Sequence, residues 1–145
     1  MKKKIAILGS TGFIGKTLLE LLSTSKNKFE IILLTANKNY KELHKQSKKF
    51  KVKNLIITNK KSYNSLLKIN KNKQIKIFNN FKSFNKIFKK KADYVMSSII
   101  GLDGLEPTVK IIKFTKKIAI ANKESLICGW NLINKNLLKN KTKFI

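Results

Sequence analysis

The sequence predicts a single α/β domain in three layers, a mostly parallel sheet of about six or seven strands with helices packed on its faces. Three observations lead there. Short apolar, β-branched runs alternate with stretches whose apolar residues recur every three to four positions. The first run, Ile5 to Leu8, ends in a glycine turn, Gly9-Ser10-Thr11-Gly12-Phe13-Ile14-Gly15, that opens onto a helical pattern. Elsewhere glycine and proline are scarce, with 6 Gly and 1 Pro in all, so no linker divides the 145 residues. Residues 1–145 are therefore read as one domain.

In chain order, the run Ile5 to Leu8 is the first strand. Its G-x-x-G-x-x-G turn has Ser10 where the commoner G-x-G-x-x-G pattern has glycine. A strand-turn-helix of this kind is how a Rossmann-like, dinucleotide-binding unit reads. Gly12 would let the backbone approach a pyrophosphate, Gly15 would let the helix pack against the sheet, and the helix-start amides would hold the anion. An ordinary glycine turn that binds nothing has similar letters. Leu18, Leu19 and Leu22 then predict a helix over about Gly15 to Ser25, and Phe29 to Thr35 a second strand. In an NAD-binding unit the end of that strand supplies an acid for the ribose 2′-hydroxyl. Here it runs Thr35-Ala36-Asn37-Lys38-Asn39 with no acid, a setting suited to a 2′-phosphate, so NADP is favoured over NAD.

Tyr40, Leu43, Ser47 and Phe50 mark a second helix, Leu55 to Thr58 a third strand, and Tyr63, Leu66, Leu67 and Ile69 another helix. Ile75 to Phe78 is a short strand. Phe81, Phe84, Ile87 and Phe88 form an apolar helical stripe, read as core and not as a platform for stacking bases. Asp93 to Ser98 is a further strand that empties into Ile99-Ile100-Gly101-Leu102-Asp103-Gly104, where a ligand-facing loop belongs. Leu105, Val109 and Ile112 would form the inner face of the next helix, with Glu106 and Pro107 in its first turn and its end near Phe114. Lys117 to Ala121 is a strand. Asn122 is placed as the N-cap of a helix carrying Lys123 and Glu124 in its first turn and Leu132, Ile133, Leu137 and Leu138 further on. Thr142 to Ile145 starts another strand.

The formal charge of +26 would normally point to a polyanion, but all 33 basic residues are lysine and they are spread through nearly every segment. Specific nucleic-acid binding is not expected, only weak binding that salt removes. The single cysteine, Cys128, excludes an intramolecular disulfide and suits a reducing, cytoplasmic setting. Beside Trp130 it is expected to be a half-buried structural residue. The three lysines before the first strand resemble a secretory start, yet Gly9 to Gly12 break the apolar run, and no membrane span is expected. His44 has no acids beside it and is read as a packing or surface residue, not as a metal ligand.

Together, GSTGFIG, LLTANKN, SSIIGLDGLEPT and IAIANKESLICG resemble the amino-terminal NADPH-binding domain of the 1-deoxy-D-xylulose 5-phosphate reductoisomerases of the non-mevalonate isoprenoid pathway. The resemblance covers essentially the whole chain. It implies that Thr11, Gly12, Phe13 and Ile14 line a pyrophosphate turn and that Asn37, Lys38 and Asn39 lie beside the 2′-phosphate. It also implies that Asn122 and Glu124 contact NADPH and that Lys123 contacts a sugar-phosphate substrate. Phe13 stands where the family usually has Ser, and Asn37 where Gly is common.

The family reaction is a metal-assisted skeletal rearrangement followed by reduction with NADPH, giving 2-C-methyl-D-erythritol 4-phosphate, and family enzymes are expected to be homodimers. Their Mg2+ or Mn2+ is held by carboxylates of a later P-V-D-S-E-H-like segment. The acids present here, Glu20, Glu30, Glu42, Asp93, Asp103, Glu106 and Glu124, show no ligand spacing, so no turnover is expected from these residues alone. Two alternatives stay open. A stand-alone nucleotide-binding module would share the same turn. An extended short-chain reductase or epimerase would need Tyr-x-x-x-Lys, but Tyr40, Tyr63 and Tyr94 are followed four residues on by His44, Leu67 and Ser98.

Overall fold

The computed structural model describes residues 1–145. Strands and helices alternate as β1 (Lys3–Leu8), α1 (Phe13–Ser23), β2 (Phe29–Ala36), α2 (Tyr40–Phe50), β3 (Asn54–Ile57), α3 (Lys60–Ile69) and β4 (Lys76–Phe78). The chain continues through α4 (Phe84–Ile87), β5 (Ala92–Ser97), α5 (Leu105–Ile111), β6 (Thr115–Ile120), α6 (Lys123–Asn140) and β7 (Lys143–Phe144). The seven strands form one sheet in the order β4-β3-β2-β1-β5-β6-β7, and every pairing is parallel.

Successive side chains of a strand point to opposite faces, and both faces of β1 are covered, which is why it reads as an unbroken apolar run. Ile5 and Ile7 join Leu19 and Leu22 of α1, Leu43 of α2 and Leu66 of α3 in one core cluster. Ala6 and Leu8 join Phe84 of α4, Ile111 of α5, and Ile133 and Leu137 of α6 in the other. The phenylalanine stripe is core, as its spacing predicts: Phe84 stacks edge-on against Phe88 and Phe114, at 5.9 and 6.1 Å between ring centroids. Because β2 and β5 flank β1 on opposite sides, the chain reverses its direction across the sheet there. In open parallel sheets that switch point opens a crevice outside the carboxyl ends of the strands.

Three local expectations are corrected. Helix α1 begins at Phe13, two residues before the predicted start, because Gly12 is extended (φ −79, ψ 174) and the first helical residues, Phe13 and Ile14, are exposed and add nothing to the apolar stripe. The stripe from Phe81 to Phe88 is a 3-10 turn, Phe81–Ser83, followed by the single-turn α4. In α5, Leu105 and Val109 pack against the core cluster that holds Ile112 just past the helix end, as expected, and Pro107, Thr108 and Ile111 are buried beside them. Thr108 faces inward because its Oγ1 has polar partners there, 2.6 Å from Ser97 Oγ and 2.5 Å from Gly104 O. Cys128 is exposed, not half-buried, because its neighbour Gly129 takes the inner face of α6, where a Cβ would strike the side chain of Leu105.

Candidate functional site

The glycine turn is built by its contacts with β2 and β5. Gly9 takes a left-handed conformation (φ +81), and a Cβ there would lie 2.9 Å from Ser98 O. Its amide donates to Thr35 Oγ1 at 3.0 Å, and the Ser10 amide donates to Thr35 O at 2.9 Å. A Cβ on Gly15 would stand 2.5 Å from Gly9 O and 2.6 Å from Ser10 Cα, so only glycine lets the helix sit this close to the turn. Gly12 differs, since a Cβ on it would meet only Gly9 O, at 3.6 Å. The protein itself leaves the space beside Gly12 open, which fits a ligand approaching the backbone.

Helix ends carry unpaired amides that are normally satisfied by a capping side chain. Asn39, Asn59 and Asn122 do this for α2, α3 and α6, accepting from Glu42, Ser62 and Ser125 amides. Helix α1 has no such cap: its N-cap is Gly12, and no acid occupies its first turn. Its amino-terminal end therefore presents free amides and the positive end of the helix dipole.

That end borders a cavity of about 450 Å3 at the carboxyl edge of the sheet. Gly9, Thr11 and Gly12 supply one wall, Thr35, Ala36 and Asn37 the end of β2, and Thr58 the residue after β3. Phe81, Ser98, Ile99, Ile100 and Asp103 complete it. The volume lies within the range of about 300–1,000 Å3 usual for small-molecule sites. Asn37 is fixed at the rim, with Oδ1 accepting from Thr58 Oγ1 at 3.0 Å and its carbonyl accepting from the Asn59 amide at 3.0 Å. Lys38 and Asn39 follow, both exposed, and Asn39 Oδ1 is engaged by the Glu42 amide at 3.2 Å.

On the other side, Asn122 is buried and all its side-chain polar atoms are used within the protein. Its Nδ2 donates to Ile99 O at 2.5 Å and Gly101 O at 2.6 Å, while Oδ1 accepts from the Ser125 amide at 2.9 Å. Asn122 thus ties the cavity loop to the start of α6, where Lys123 and Glu124 are exposed. Gly104 makes room for this tie, because a Cβ there would hit the Asn122 amide and lie 2.7 Å from Ile99 O.

Of the residues expected from the sequence, the structure brings Thr11, Gly12 and Asn37 into the cavity wall and sets Lys38 and Asn39 beside Asn37. Phe13, 85% exposed, and Ile14 are not among the residues of the wall. Lys123 and Glu124, exposed in the first turn of α6, do not line the cavity. Ile99, Ile100 and Asp103 come from the loop expected to face a ligand, whereas Thr35, Thr58, Phe81 and Ser98 are site residues that the sequence reading does not assign. Reading the residue at or after each strand's carboxyl end would find Thr35, Thr58 and Ser98, but nothing local marks Phe81.

No three His, Cys, Asp or Glu side chains come together in a set able to hold a metal. Asp93 is occupied elsewhere: hydrogen bonds from Lys116 Nζ (2.8 Å) and the Lys4 amide (2.9 Å) hold its carboxyl below the usual range. Glu106 is likewise lowered by its bond to Lys110. No helix is long and apolar enough to cross a membrane.

A profile of the family described as 1-deoxy-D-xylulose 5-phosphate reductoisomerase matches residues 5–129. A protein of that description from Pelagibacter ubique (strain HTCC1062) is 59% identical over 145 residues, covering 99% of this chain and 37% of its own length. Another, from Buchnera aphidicola subsp. Schizaphis graminum, is 40% identical over 144 residues, 97% of this chain and 36% of the relative. Among solved structures, the reductoisomerase from Zymomonas mobilis in complex with NADPH superposes with a TM-score of 0.91 at 29% identity, over 100% of this chain and 38% of that one. A reductoisomerase solved with NADPH, fosmidomycin and magnesium gives 0.88 at 26% identity, over 98% and 35%. A hyperthermophilic archaeal homoserine dehydrogenase, at 14% identity and a TM-score of 0.65 over 100% and 43%, shares the fold alone. The chain thus spans a little over a third of the reductoisomerases it matches.

Proposed function

Because the chain belongs to the 1-deoxy-D-xylulose 5-phosphate reductoisomerase family, we propose that residues 1–145 are the NADPH-binding part of such an enzyme. The observation that carries this reading is the uncapped start of α1, set behind a glycine turn at the sheet's switch point and open to a cavity of about 450 Å3. Thr11, Gly12 and the amides of Phe13 and Ile14 hold the pyrophosphate, an anion matched to free amides and a helix dipole. Asn37, Lys38 and Asn39 receive the 2′-phosphate, which a carboxylate at this place would repel. Glu124 contacts the cofactor beyond the loop, and Asn122 shapes that side by fixing Ile99 and Gly101. Lys123 is placed to meet a sugar phosphate.

NADPH bound here supplies a hydride for the family's reduction step in isoprenoid precursor synthesis. The family's divalent metal does not fit these residues, since no ligand set forms among them. We place the protein in the cytoplasm, where the exposed Cys128 thiol stays reduced.

Titration calorimetry with NADPH and NADH tests the site. Charge-assisted contacts to the 2′-phosphate are each worth about 1.5–3 kcal/mol, so NADPH is expected to bind at least about tenfold tighter. Equal or reversed affinities would overturn the assignment of Asn37 to Asn39.

A further inference from the structure

Gln46 lies near the middle of α2, far in sequence from the glycine turn, yet it is 4% exposed and its amide is aimed at Ser10. Gln46 Nε2 donates to Ser10 O at 3.0 Å, and Ser10 Oγ donates back to Gln46 Oε1 at 2.8 Å. The same Nε2 also lies 3.3 Å from Glu42 Oε1, one helical turn back. The Glu42 amide is in turn bonded to Asn39, so one polar chain runs from the pyrophosphate turn through α2 to the segment Asn37 to Asn39. It also accounts for Ser10 in place of the usual glycine, because the hydroxyl is one leg of the clamp.

We infer that Gln46 is a positioning residue, holding the Ser10 to Gly12 turn in register with the Asn37 to Asn39 segment so that one dinucleotide meets both. The inference rests on the NADPH reading above. A buried amide paired in this way fixes geometry, because leaving any of its partners unpaired is costly. Loosening it lets the two phosphate-binding segments move apart, which a ligand bridging both must then reverse.

The test compares the 145-residue chain with Gln46→Met, which keeps the volume and removes every bond of the amide, and with Ser10→Ala, which removes the hydroxyl leg to Gln46 together with the longer bond to Thr35 O (3.3 Å). NADPH and NADH titrations are run beside amide hydrogen exchange and urea unfolding. Gln46→Met is expected to weaken NADPH roughly tenfold, to narrow the NADPH-to-NADH preference, and to speed exchange at the Ser10 amide while β5 amides keep their protection. Ser10→Ala is expected to do the same more mildly, and the double variant to lose less than the sum of the two. A Gln46→Met chain that only unfolds earlier, with both affinities and the turn's exchange unchanged, would leave Gln46 a packing residue and overturn the proposal. If Gln46→Met does not fold, unchanged affinity and exchange in Ser10→Ala overturns it instead. Failure of the unsubstituted chain to bind NADPH sinks the reading of the site, whereas binding that is indifferent to Gln46 sinks only its positioning role.

Discussion

At Gly15 one methyl group decides whether α1 can sit against its turn. The added Cβ would meet Gly9 O at 2.5 Å and Ser10 C at 2.8 Å, backbone atoms held by the Thr35 bonds and unable to yield cheaply. Gly15→Ala is expected to cost about 1–3 kcal/mol in urea unfolding and to weaken NADPH binding, and an unchanged midpoint would show that the turn can shift. His44 makes a pH-dependent contribution. Its Nε2 is buried without a partner. Burial, then the charge of Lys48, lowers its pKa, and the nearby Asn70 side chain opposes the shift. The unfolded chain therefore takes up the proton first, near the ordinary value of 6.5. Stability attributable to His44 is present above that pH, falls as pH drops from 6.5 towards the folded pKa, and then levels. Urea midpoints measured on either side of that window should drop more for the unsubstituted chain than for His44→Gln, while parallel drops would remove His44 as the cause. The lone histidine reads as a packing or surface residue and not as a ligand, but its unpaired nitrogen leaves no local signal, since it depends on the packing around α2.

Among the elements, α6 shows how a local signal can hide a longer-range one. Ala121-Asn122-Lys123-Glu124-Ser125 reads as a capped helix start, and Asn122 Oδ1 does accept from the Ser125 amide. The Nδ2 bonds to Ile99 and Gly101 span 23 and 21 residues and leave no trace in the local letters. Asn122→Ala is expected to lose the cap and both loop bonds, about 2–3 kcal/mol by chemical denaturation. Asn122→Ser keeps a cap oxygen and is too short for the loop bonds, so it should fall between Asn122→Ala and the unsubstituted chain. Equal stability of the Ala and Ser variants would assign the whole effect to the loop. Helix α1 gives the converse case. Its apolar stripe marks its middle, but Phe13 and Ile14 are exposed, so periodicity could not mark its first turn, the part that faces the cavity.

For the whole molecule, seven parallel strands between two apolar clusters make a scaffold that carries a cavity at the carboxyl edge of the sheet and no metal set. Residues 1–145 given magnesium, NADPH and 1-deoxy-D-xylulose 5-phosphate are expected to leave the absorbance of reduced nicotinamide unchanged. Metal-dependent NADPH oxidation would overturn that expectation. Much of the architecture was legible because strand and helix signals are local: two-residue and 3.6-residue periods, Asn caps and a glycine turn are all written within a few positions. The alternation of strands and helices, the turn between β1 and α1, and the acid-free end of β2 are all written in local letters. That Thr58, Phe81 and Ser98 share one cavity with that turn, and that Gln46 bonds it to α2, follows from the packing of elements distant in the chain. The reason is physical: those residues meet through the order in which the strands pair, and strand order is set by how two whole faces are buried, not by any short stretch of chain.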